Sequence, residues 1–189
     1  MFLCSYAILV TAQIGNVGIN TKTPLALLHV NDRSVLFTGP STLPASPGNP
    51  PISGAGSRMM WYPAKAAFRV GRVLGTEWDK SNLGTNSFAS GVGTIASGNL
   101  SVAMGDANIA SGASSTAMGS GTLASGISST AIGDLTKATG ENSTAMGSST
   151  TASGQSATAM GFGNISSGFH ATAMGSGTLS TGSHTTTMG

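Results

Sequence analysis

The chain has 189 residues, 28 of them glycine, with only 7% charged and 5% aromatic side chains. So little charge beside a mildly apolar balance excludes a disordered chain, and glycine does not recur at every third position as a collagen helix requires. The formal net charge is +2, but seven Lys/Arg and three Asp/Glu lie before Ser87. Beyond it stand only Asp106, Asp134, Lys137 and Glu141. A surface that grips phosphates needs clustered Lys and Arg, so nucleic acid is not an expected partner.

Phe2 to Val10 is an apolar run, far short of the ~20 residues of a membrane-spanning helix. Val10-Thr11-Ala12 then supplies small residues at the spacing of a signal-peptidase site. Residues 1–12 are therefore read as a signal peptide with Gln13 as the mature start, and the protein as exported to the cell surface, the outer membrane or the medium. No Lys or Arg precedes the apolar run, so a buried strand is the alternative reading. The single cysteine, Cys4, falls inside this segment. The mature chain then has no disulfide and no thiolate metal site.

Residues 13–86 are not repetitive and read as a β-rich lead-in that caps the repetitive second half of the chain. Asn16–Asn20 and Leu27–Val30 suggest two short strands around Thr23-Pro24, and Ser34–Thr38 is a third apolar run. From Gly39 to Gly56, five prolines and four glycines predict an ordered loop or extended connector rather than a helix or central strand. Met59–Val73 comes next with Trp61 and Tyr62, and Trp78 lies just beyond. Aromatics so concentrated are expected to form the compact core of this half.

From Ser87 the chain falls into ungapped units of fourteen, from SFASGVGTIASGNL to ATAMGSGTLSTGSH, and ends on a partial TTTMG. Each unit carries a half-repeat of seven. A coiled coil is excluded, because a heptad seam needs two large apolar positions and frequent glycine disfavours helix. Two short strands and two turns per unit predict an all-β solenoid, each coil hydrogen-bonded to the next with a rise of about 4.8 Å. The fifth and twelfth positions are read as turn glycines: Gly105, Gly112, Gly119, Gly126, Gly133, Gly140, Gly147, Gly154, Gly161, Gly168, Gly175 and Gly182.

Alternation along a strand assigns the faces. The third and tenth positions are expected to fill the interior of a thin roll. They are Ala103, Ala117, Ala131, Ala145, Ala159 and Ala173 in one row, and Ala110, Ala124, Ala138 and Ala152 in the other, with Ala89 and Ala96 at the head of each. The second and fourth positions then point outward, placing Val102, Met104, Met118, Ile132, Met146, Met160, Met174 and Met188 on one exposed stripe. A large contiguous apolar patch is unusual on a monomer, so another copy of the chain is the expected cover. The competing assignment puts methionine inside and alanine outside. Rows of polar residues such as Thr94, Asn108, Thr122, Thr136, Thr150, Asn164 and Thr178 are expected on the solvated surface.

Units such as SVAMGDANIASG and STAIGDLTKATG resemble the YadA-like head repeat of trimeric autotransporter adhesins over residues 87–189. The resemblance implies a left-handed parallel β-roll and three rolls side by side, with Val102 and Met104, Thr116 and Met118, and Thr130 and Ile132 lining the shared core. The stretch Val17–Val30 is similar to a lead-in of bacterial surface and tail-fibre proteins, with Asn20 where that pattern has glycine. No heptad stalk and no barrel-forming strands come after the repeats, so an anchor is expected from a missing segment or a separate protein.

These readings point to a non-enzymatic surface fibre that attaches to a host or surface macromolecule of unknown identity. A shaft segment of a phage-like tail fibre is the alternative, and an ice-binding solenoid is a third reading. No cofactor is expected. His29, His170 and His184 are not paired with carboxylates at a useful spacing. His170 and His184 share the last position of adjacent coils, and two ligands are too few for a structural zinc site. No serine sits in a nucleophile elbow beside a base.

Overall fold

The computed structural model describes residues 34–189 and, before them, the backbone of two strands, β1 (Val17–Ile19) and β2 (Leu28–Val30). The expected signal peptide and Cys4 lie outside the described residues. The chain divides into two units, residues 1–38 and 39–189. In the first, β1 and β2 pair in parallel, Val17 opposite Leu28. In the second, Gly39–Ala55 carries no strand or helix, as five prolines demand.

Regular structure begins with a hairpin. Strand β3 (Gly56–Tyr62) pairs antiparallel with β4 (Ala67–Val73) across the short 3-10 turn Pro63–Lys65. Strand β4 then pairs in parallel with β5 (Phe88–Val92), the first strand of the repeats. From there every unit contributes one five-residue strand and one two-residue strand, as in Thr116–Ser120 and Leu123–Ala124. The long strands join β3 and β4 in a ten-stranded sheet, and the short ones form a seven-stranded sheet. Pairing never slips. Ala117 faces Ala103 on one side and Ala131 on the other, and Met118 likewise faces Met104 and Ile132. The domain is a parallel β-solenoid, its two strands per coil unequal in length.

The turns differ from expectation. Gly105, Gly119, Gly133, Gly147, Gly161 and Gly175 lie inside the long strands rather than in turns. The left-handed corners fall at the seventh and fourteenth positions and are often not glycine, as at Leu100 (φ 59), Ala107 (φ 52), Ser114 (φ 57) and Leu135 (φ 53). Each such residue turns its N–H back onto the preceding coil. Ser114 N donates to Asn99 O at 2.7 Å, and Leu135 N to Ser120 O at 2.8 Å. These bonds offset a conformation that L side chains adopt at a cost.

Glycine is required for another reason, the close approach of successive coils. A Cβ on Gly112 would lie 2.0 Å from Gly126 O, and one on Gly105 would lie 2.1 Å from Gly119 O. Gly105 also has φ +116. Gly112 additionally opens a turn, accepting a bond from Ser115 N at 3.3 Å.

The interior is thin. Ala89, Ala103, Ala117, Ala131, Ala145, Ala159 and Ala173 have no exposed surface, and neither do Ala96, Ala110, Ala124, Ala138 and Ala152. The row expected on the solvated surface is also inside: Thr94, Asn108, Thr122, Thr136, Thr150, Asn164 and Thr178 are all buried. The reason is strand parity. The eighth position stands two residues before the inward tenth and shares its face. At two places polarity is accommodated by bonds between coils, from Asn108 to Thr122 and from Asn164 to Thr178, whereas the Thr94 and Thr136 hydroxyls have no partner among the described residues. Asn108 Nδ2 donates to Met104 O and Gly119 O, each at 2.6 Å, and Oδ1 accepts from Thr122 N at 2.7 Å and Thr122 Oγ1 at 2.8 Å. At the first position Ser101, Ser115 and Ser143 each donate from Oγ to a glycine carbonyl at 2.7 Å.

Candidate association surface

In a solenoid of this type each short strand donates its N–H groups forward. Ile95 N reaches Asn108 O at 2.8 Å, and Ile109 N reaches Thr122 O at 2.9 Å. Carbonyls of the first coil are therefore left without a preceding coil, and orphaned backbone groups at a buried end are costly. Backbone and side chains of the lead-in together take the place of that coil: Gly84 N donates to Ala96 O at 2.8 Å and Phe68 N to Ser87 O at 3.0 Å. Trp78 Nε1 donates to Thr94 O at 3.1 Å, and Arg69 donates to Ala96 O and Ser87 O, both at 2.9 Å. Leu83 and Trp78 pack beside Met60, Tyr62, Ala67 and Val73 in a small apolar cluster over this end. Burial lowers the Arg69 guanidinium to about 10, so it remains charged at neutral pH.

The aromatic residues are thus divided. Tyr62 and Trp78 are buried in the cluster, whereas Trp61 and Phe68 lie half-buried on the outer face. Alternation along β3 and β4 requires this once Tyr62 and Arg69 point inward.

Along the ten-stranded sheet the outward side chains at the second and fourth positions of each unit form two columns, flanked by an exposed sixth-position column that includes Arg72, Asp106, Asp134 and Phe162. Val102 is succeeded in its column by Thr116, Thr130, Thr144, Thr158, Thr172 and Thr186. Met104, Met118, Ile132, Met146, Met160, Met174 and Met188 form the second column, each opposite the next. Met104, Met118, Ile132, Met160 and Met174 are half-buried by their neighbours, while Met146 is 39% and Met188 71% exposed. Neither column contains a charge. The methionine column therefore lies outside the roll, with alanine inside. On the opposite sheet Lys137, Ile165 and Leu179 point to solvent.

His170 and His184 are exposed at successive corners, their rings stacked at 5.3 Å between centroids with Phe169 edge-on to both. Among the described residues no three metal-ligating side chains come together. Also among these residues, no helix is long and apolar enough to cross a membrane.

An alanine-cored parallel solenoid with an outward methionine column is a structural repeat architecture of adhesin type. The sequence matches the family model of the YadA head domain repeat at residues 83–101, 96–122, 124–150, 138–164 and 152–178. The chain belongs to the YadA head domain repeat family. No curated protein matches it. The family match begins at residue 83, so the resemblance of residues 17–30 to surface and tail-fibre proteins is not supported.

Proposed function

We propose that the chain is the head of a surface fibre that attaches cells to a macromolecule, and that it acts as a homotrimer of parallel rolls. One observation carries this reading: an unbroken, uncharged column from Met104 to Met188 stands on the outside of a roll whose interior is already filled by alanine. A stripe of that length on a lone roll leaves methylene and thioether groups in water, where contact with a second apolar surface is favourable. Identical copies supply such a surface at the same 14-residue period, and the family is one of trimeric adhesins.

In this arrangement residues 1–12 direct export, residues 13–86 lead in and cap, and residues 87–189 form the head. The sheet containing Lys137, Ile165 and Leu179 faces outward for attachment. Three copies, each with repeated coils, give weak contacts the benefit of multivalency.

Antibody against residues 87–189, applied to intact cells that express the full open reading frame, tests the surface assignment. Labelling of intact cells is expected. Labelling only after lysis contradicts it.

A further inference from the structure

The apolar outer face does not stop where the repeats begin. Strands β3 and β4 continue the same sheet, and their pairing carries both outward columns into the hairpin. Trp61 stands opposite Phe68, Phe68 opposite Phe88, and Phe88 opposite Val102. In the second column Met59 pairs with Val70, Val70 with Ser90, and Ser90 with Met104. The Phe68 and Phe88 rings are stacked, 5.7 Å between centroids and 16° between planes. Met59 is 67% exposed. A partner that covers the methionines by running along this sheet meets the aromatics next, with no charge between them.

The repeat creates a difficulty for identical rolls packed on this face. Moving one roll by a coil, about 4.8 Å, returns every methionine to a methionine or Ile132 and every threonine to a threonine. From Thr116 onward these two columns have nothing that opposes the slip, and only Asp134 and Phe162 in the flanking sixth-position column break the repeat. The lead-in end is different. There a one-strand slip puts Phe88 against Val102 and leaves Trp61 without a counterpart.

We propose that Trp61, Phe68 and Phe88 set the axial register of the assembly, packing against the same three residues of the neighbouring copies. The occupant of this surface is therefore a second copy of the chain. This rests on the trimeric reading above and adds to it the residues that choose one alignment among several near-equal ones. Ser90 fits the same picture: within the repeats the fourth-position column is apolar at every position except the one beside Phe88.

Two differently tagged full-length chains test this, both with Cys4→Ser, one with Met146→Cys and the other with Met160→Cys. Disulfides favour Cα atoms about 5.5–6 Å apart and fail beyond about 7 Å, and an axial offset of about 4.8 Å added to that lateral separation exceeds the limit, so the ratio of cross-link yields reports alignment. With the aromatic residues intact, cross-links joining like positions are expected and the 146-to-160 cross-link is not. With Trp61→Thr, Phe68→Thr and Phe88→Thr, the 146-to-160 product should rise to the level of the like-position products. Phe88→Thr alone should produce it in part, and the fold already accepts threonine at this column position in the later coils. Cross-links at like positions only, in variants that still associate, overturn the register assignment and leave the trimer standing. A native chain that sediments as a monomer overturns both.

Discussion

Arg69 stands directly opposite Ala89 in the sheet, in line with the interior alanine column, and closes that column with a guanidinium. Its Nη1 donates to Phe68 O and Ser87 O, and its Nη2 to Ser87 Oγ at 2.7 Å and Ala96 O at 2.9 Å. This side chain thus adds volume and further donors to an end that backbone N–H groups of Phe68 and Gly84 also cap.

Arg69→Ala should lower stability by about 2–4 kcal/mol, combining a cavity with weakened satisfaction of buried carbonyls. Arg69→Met keeps most of the volume without the donors and should fall between the two. Urea unfolding monitored by circular dichroism measures both. The contribution should be flat around neutral pH, because folded and unfolded chains both hold the proton well below about 10. The folded value is lowered, so any change at alkaline pH is a gain in stability as pH rises through it, the unfolded chain binding the proton more tightly.

Asn108→Ala should destabilise the roll by about 2–3 kcal/mol, since Thr122 N and Gly119 O each lose a buried partner. Asn108→Thr should be milder, because Thr122, Thr136 and Thr150 occupy the same interior row. Equal losses for the two variants in thermal melts would show that the asparagine bonds contribute nothing beyond packing.

Gly112→Ala should cost more than about 3 kcal/mol, although Gly112 is not among the glycines with left-handed φ. The added methyl meets the Gly126 carbonyl of the next coil at 2.0 Å, and a backbone-to-backbone clash cannot be relieved by rotating a side chain. A soluble variant with an unchanged melting temperature would contradict the reading that this glycine is fixed by coil spacing.

Much of this structure is legible in the sequence because the fold is periodic. Fourteen-residue units fix the coil, and the alanine rows at Ala103 and Ala110 fix which face is inward. The threonine and asparagine row is the exception, expected in solvent and found inside, although Thr122 stands two residues before Ala124 and must share its side. Polarity suggests solvent, whereas parity puts the row inside, where Asn108 and Asn164 bond to the next coil. The glycine roles mislead in a similar way. Frequent glycine suggests turns, but the contact that excludes a side chain at Gly105 is made with a residue fourteen positions away. Arg69 and Trp78 as end caps leave no sequence signal beyond their position ahead of the first repeat. Trp61 and Phe68 can be placed outside by extending strand alternation into the hairpin.

Ala117→Leu and Met118→Ser separate interior from seam. Ala117 has no exposed surface, so leucine should cost roughly 1–3 kcal/mol or more through the fold of each chain. Met118→Ser should weaken association while the circular dichroism of the separated chain stays near native. Loss of the β signal on Met118→Ser would instead place that side chain in the core.

Sedimentation equilibrium of the full chain tests the central claim, that the outward methionine face is a seam between copies. The account predicts a single species of three times the 18.6 kDa chain mass at micromolar concentration, shifting toward the monomer with Met118→Ser. A well-folded monomer of the unaltered chain at that concentration would contradict it.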